Sequence, residues 1–195
     1  MSIVSYIVIA IALGLNSMLL FRRCGEATPV RLSAGLLTVI GVSIIHVFLY
    51  YIGCIAGRWL CFYSADDPQM YSDLNAYIFL GMTIIVLLKV LVPYLRRNPQ
   101  LPVFSLKDSK SVLALAFATG INVLLMGIGV GFADNTINPI HKILWPLLIA
   151  NILLGYLGLM FGRQKVQLRP RRWAIVSCIL LLGVAIAAVV NAGGR

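Results

Sequence analysis

Apolar residues run along this chain in six long blocks, at about 3–21, 33–57, 74–95, 112–133, 140–162 and 173–190. Short polar stretches separate them. Crossing ~30 Å of hydrocarbon takes roughly 20 apolar residues as a helix, so each block is long enough to span a bilayer. Six spans leave little chain for any soluble domain. The pattern predicts an all-α integral membrane protein with one domain over residues 1–195 and short connections.

Composition points the same way: 61% of the 195 residues are hydrophobic and 11% charged, too little polar surface for a soluble domain of this size. The net charge of +10 would suit nucleic acid, but its distribution argues against that partner. Arg22, Arg23 and Arg31 fall in the first connection, Arg96, Arg97, Lys107 and Lys110 in the third, and Arg163, Lys165, Arg169, Arg171 and Arg172 in the fifth. The second carries Asp66, Asp67 and Asp73 against Arg58, and the fourth Asp134 near Lys142. Alternation of basic and acidic loops is the positive-inside pattern. It expects loops one, three and five in the cytoplasm and both termini outside. The partner so implied is the lipid bilayer, with no nucleic acid.

Met1 and Ser2 precede the first block, and Arg22 and Arg23 follow it. A secretory signal has the opposite order, so a retained first helix is expected. Trp59, Tyr63, Trp145 and Trp173 near span ends suit interfacial anchoring. Of the cysteines Cys24, Cys54, Cys61 and Cys178, the closest pair, Cys54 and Cys61, would lie about 10 Å apart along one helix. That is too far for a disulfide, and no metal-finger spacing occurs. All four are expected to pack as small apolar side chains.

The chain also repeats itself. ALGLNSMLL (12–20) aligns with ATGINVLLM (118–126), 106 positions on, and IGCIAGR (52–58) with LGLMFGR (157–163), 105 on. FLGMTII (79–85) aligns more faintly with LLGVAIA (181–187), 102 on. Repeat 1 then covers about 3–95 and repeat 2 about 112–190, joined by a cytoplasmic connection at about 96–111. An odd number of spans per half puts the halves in opposite orientation, so the expected architecture is two inverted three-helix repeats. The pairs Gly53/Gly57 and Gly158/Gly162 have small-xxx-small spacing and are expected to let helices pack closely. Gly127 and Gly131 add the same spacing in the fourth helix, with no counterpart read in the first.

None of the six Asp and Glu residues lies inside a span. The mid-membrane polarity rests on Asn16, His46, Asn122 and Asn151, with Ser17, Ser43 and Thr119 nearby. Asn16 and Asn122 are repeat partners, and so are His46 and Asn151. His46, Asn122 and Asn151 lie near the middles of their helices, and Asn16 within about 6 Å of one. A lone membrane Asn commonly serves as interhelical glue. Four repeat-related polar groups at one depth suggest a site instead.

With these motifs in hand, the chain resembles the MntP-type manganese efflux pumps, a bacterial family related to the LysE-like exporters. GLNSMLL and TGINVLLMGIGVGFA carry the resemblance, together with IGCIAGR, LGLMFGR and the FLG of the third span. It covers nearly the whole length. It implies a multi-pass protein of the bacterial cytoplasmic membrane that exports a divalent metal, with Asn16, His46, Asn122 and Asn151 as candidate metal-handling residues and no cofactor. In that family the positions of Asn16 and Asn122 are typically Asp, and that of His46 typically Glu. A dehydrated divalent ion needs compensating charge, and Mn²⁺ prefers oxygen ligands. An amide-and-imidazole set suits borderline metals better and leaves His46 as the obvious proton carrier.

Two other readings stay open: a LysE-like exporter of an amino acid or other small solute, and a relative that kept the scaffold and no longer transports. An enzyme is not expected. Ser43 and His46 share a helix face at i, i+3, but no nucleophile motif accompanies them, and a haem pairing of His46 with His141 would span unlike depths.

Overall fold

The computed structural model describes the chain outside residues 28–30, 63–67, 96–103, 134–138, 167–168 and 194–195. Tyr63, Asp66, Asp67, Arg96, Arg97 and Asp134 lie outside the described residues, as do the side chains of Asp73 and His141. Among the described residues the elements are α1 (Ile3–Ala27), α2 (Leu32–Phe62), α3 (Pro68–Leu95), α4 (Ser109–Ala133), α5 (Pro139–Arg163) and α6 (Pro170–Gly193). All six are long and apolar enough to cross a membrane. The outward face is correspondingly oily, with Leu37, Phe48, Trp145 and Ile179 all exposed.

The helix ends follow local chemistry. Pro68, Pro139 and Pro170 open their helices, where the missing N–H costs nothing and φ is already set. Asp108 caps α4 by accepting from the Lys110 and Ser111 N–H groups, both at 3.2 Å. α5 closes with Lys165 at φ 51°. Lys165 N–H donates to the Gly162 carbonyl and Val166 N–H to that of Phe161, a Schellman ending. α1 runs about six residues past its apolar block, because helix and hydrocarbon need not end together. Arg22 approaches Glu26 one turn on, Arg23 stacks over Tyr94, and Cys24 and Gly25 are buried.

The halves interleave. α1 packs along α5, and α2 along α4; α3 meets α4 and α6, α1 meets α6, and α2 meets α5. Exchanging α1 with α4, α2 with α5 and α3 with α6 leaves this set of pairs unchanged. Glycines set the two main seams. A methyl group on Gly158 or Gly162 would run into the backbone of Met18 or Arg22, and one on Gly53 or Gly57 into that of Leu124 or Ile128. The matched numbers rise together, so α1 runs parallel to α5 and α2 parallel to α4. Gly127 and Gly131 face Gly53 and Gly57 across the α2–α4 seam. In the first helix Gly25, 106 positions before Gly131, lies against the Leu159 carbonyl. Its role follows from packing against α5 and not from spacing within α1.

Arg22, Arg23, Lys107, Lys110, Arg163 and Lys165 belong to one end of the bundle. There Phe21, Cys24, Val39, Leu106, Leu115 and Leu159 form a separate apolar cluster. The four cysteines are free and buried.

Candidate functional site

Parallel pairing of α2 with α4 sets His46 beside the fourth helix. Its ring lies against Gly120, where an added methyl group would sit 3.7 Å from Cδ2. Its Nε2 is 2.7 Å from Thr119 Oγ1. Thr119 itself donates to the Leu115 carbonyl one turn back at 2.8 Å. On the other side, Ser17 of α1 donates to Asn151 Oδ1 of α5 at 2.8 Å. Each mid-helix polar group of the α2–α5 pair thus takes a hydroxyl from the parallel helix of the other half. His46 and Asn151 are both 1% exposed, and the Asn151 amide lies beside the imidazole.

These groups are incompletely paired. His46 Nδ1, Asn151 Nδ2 and Asn122 Oδ1 are buried without a hydrogen-bond partner. Leaving one such atom unsatisfied costs roughly 1–3 kcal/mol, so three in one bundle call for a reason. Asn122 is 5% exposed and lies three residues beyond Thr119 on α4. It therefore shares the face that Thr119 turns to His46.

Asn16 stands apart. It is half-buried, and α1 touches α4 only slightly. No hydrogen bond joins it to His46, Asn122 or Asn151 among the described residues. Its neighbour Ser17, about 100° around the helix, is the α1 residue that reaches the centre. Ser43 is spent on its own helix, donating to the Val39 carbonyl at 2.7 Å, and makes no contact of the kind a nucleophile would need with His46. The two residues that hold the centre, Ser17 and Thr119, carried a signal in the sequence: hydroxyls one and three residues from the repeated Asn.

The polarity of the spans also extends to residues the hydropathy pattern passes over. Thr83 of α3 donates to the Phe79 carbonyl at 2.8 Å. Ser177 of α6 donates to the Ala12 carbonyl at 2.8 Å, and Lys89 of α3 reaches that of Ala118 at 3.4 Å. Ala12 and Ala118 are 106 apart, one turn before Asn16 and Asn122. Side chains of α3 and α6 thus reach two carbonyls 106 positions apart, on α4 and α1.

Among the described residues no Asp, Glu, Lys or Arg is buried with this centre. Among the described residues no three His, Cys, Asp or Glu side chains come together. Any ligand there meets one imidazole, amides and hydroxyls, and no carboxylate. No protein-family model matches the chain, and no curated protein or solved structure does so either.

Proposed function

We propose that the chain is a six-span secondary transporter built as an inverted repeat, and that it exports a divalent metal ion through the centre formed by His46, Asn151, Asn122 and Asn16. The observation that carries this reading is the set of unpartnered buried atoms on repeat-related helices. His46 Nδ1, Asn151 Nδ2 and Asn122 Oδ1 are inside the bundle without partners, and the helix pairs around them are unchanged by exchange of the halves. In inverted-repeat transporters the cargo site lies between the repeats near the midplane, and rocking of one repeat against the other opens it to each side in turn. An ionisable side chain at that depth, here His46, is a functional-site candidate by default.

The cargo assignment follows the resemblance to the MntP-type pumps, in which these positions handle manganese. The same resemblance supports a bacterial cytoplasmic membrane with both termini outside. Asn16 enters as the repeat partner of Asn122. Because it is half-buried and off the His46–Asn151 contact, it would join the centre in the other rocked state.

Export of a small uncharged or zwitterionic solute, as among the LysE-like exporters, is the second reading. One observation favours it: among the described residues no carboxylate is buried with the centre to balance a dication.

Cellular metal content separates the two. Cells lacking their own manganese exporter, loaded with Mn²⁺ and expressing this chain, should hold less manganese or another divalent metal than cells with empty vector. An Asn122→Ala, His46→Ala double variant should restore the empty-vector level. Unchanged metals, with the protein present in the membrane, would remove the metal reading.

A further inference from the structure

Thr119 has one hydroxyl hydrogen and three neighbours within hydrogen-bonding range. They are the Leu115 carbonyl at 2.8 Å, the Ala116 carbonyl at 3.3 Å and His46 Nε2 at 2.7 Å. Both carbonyls can only accept. If Thr119 gave its hydrogen to Nε2, its lone pairs would face the Leu115 oxygen at 2.8 Å with no proton between them. If the hydrogen goes to Leu115, a pattern common for Thr inside helices, the hydroxyl must accept from Nε2–H. Only this second arrangement puts a hydrogen in both of the shortest contacts, those at 2.7 Å and 2.8 Å.

We infer that Thr119 is a positioning residue that holds neutral His46 in the Nε2–H tautomer, so that Nδ1 carries the bare lone pair and is the atom that meets a metal. A neutral imidazole has one donor nitrogen and one acceptor nitrogen, and the hydrogen bond at one sets the role of the other. Nδ1 is the nitrogen left without a partner, and the Asn151 amide lies beside the ring. An imidazole nitrogen with an amide oxygen, here the unpartnered Asn122 Oδ1, and no carboxylate suits borderline divalent cations such as Zn²⁺ and Ni²⁺ in preference to hard Mn²⁺ or Mg²⁺. Metal-ligating histidines are commonly oriented by a partner on the far ring nitrogen. Here the partner is a helix-anchored hydroxyl where a carboxylate or backbone carbonyl is usual. The inference deepens the transport reading and rests on it for the metal, but the tautomer stands on the hydrogen-bond geometry alone.

The chain has two histidines, so His141→Gln leaves His46 as the sole imidazole. The full chain with ¹⁵N-labelled histidine, reconstituted in lipid nanodiscs, should give one protonated nitrogen assignable to Nε2 and one bare Nδ1. Thr119→Ser should keep that signature, and Thr119→Val should lose it. Predominance of the Nδ1–H tautomer, or an unchanged spectrum in Thr119→Val, would overturn the inference. Zn²⁺ added to the same sample should shift Nδ1 and leave Nε2–H protonated, and Thr119→Val should weaken zinc binding about 10–100-fold. A zinc shift on Nε2 would overturn the assignment of the ligand atom. The Nε2–H tautomer with no zinc response would count against the metal reading while upholding the role of Thr119.

Discussion

Ser17 on the first helix donates its hydroxyl hydrogen to Asn151 Oδ1 on the fifth, 2.8 Å away and out of reach of water. The bond ties the two halves at the depth where His46 and Thr119 tie them a second time. Hydrogen bonds between membrane helices contribute about 0.6 kcal/mol on average and up to about 1.7. A double-mutant cycle of Ser17→Ala with Asn151→Leu should therefore give a coupling of about 0.6 kcal/mol in detergent or bicelle unfolding. A coupling indistinguishable from zero would mean that the hydroxyl and the amide do not meet in the membrane.

The seams make a sharper stability prediction. Gly158 and Gly162 lie against the backbone of α1, where no side-chain rotation can make room. A methyl group on Gly183 would meet nothing within 4 Å. Gly158→Leu or Gly162→Leu should abolish the monodisperse folded protein. Gly183→Ala should be neutral, or stabilise by up to about 1 kcal/mol through helix propensity. Equal folded yields from Gly158→Leu and Gly183→Ala would show that α1 and α5 are not in backbone contact.

Much of this arrangement is legible in the amino-acid sequence. Six apolar blocks became six helices, and the Gly pairs at 53/57 and 158/162 became close seams. Helix ends and neighbours were less legible, for physical reasons. The hydropathy of α1 stops at Arg22, but its backbone hydrogen bonds continue to Ala27 because Glu26 and Tyr94 give the two arginines partners. Which helix faces which depends on side-chain phase across the seam, and an apolar face in lipid carries no label for its neighbour. So Ser17, and not the more conspicuous Asn16, hydrogen-bonds to Asn151. Repeat logic paired Asn16 with Asn122, while the α1–α4 contact is slight. Lys89 leaves no mark on the hydropathy pattern, because one cation hardly changes that of an apolar window; its contact with the Ala118 carbonyl is visible only in the fold.

The sidedness of the bundle can be read by labelling. Lys107 and Lys142 are both exposed and belong to opposite ends. With basic ends cytoplasmic, an impermeant maleimide added to intact cells should label Lys142→Cys and spare Lys107→Cys until the membrane is opened. The native cysteines are buried and should give little background. Labelling of Lys107→Cys in intact cells would invert the topology and reverse the direction of any transport.

A charge substitution at Asn122 distinguishes the two cargoes. Its Oδ1 is buried and without a partner, and Asp has nearly the same shape, so Asn122→Asp changes charge with little change in packing. If the cargo is a dication, the new carboxylate offsets charge that the neutral centre cannot, and burial makes that attraction stronger than at a surface. Binding of divalent metal should then tighten by roughly tenfold or more, equivalent to about 1.4 kcal/mol, and cells should lose more metal. If the cargo is an uncharged solute, the same carboxylate has no counter-ion in the centre. Burying it unpaired is strongly unfavourable, so the variant should lose stability and solute transport together. Tighter metal binding with retained fold would leave the solute reading without support; a destabilised protein that gains no metal affinity would do the same to the metal reading.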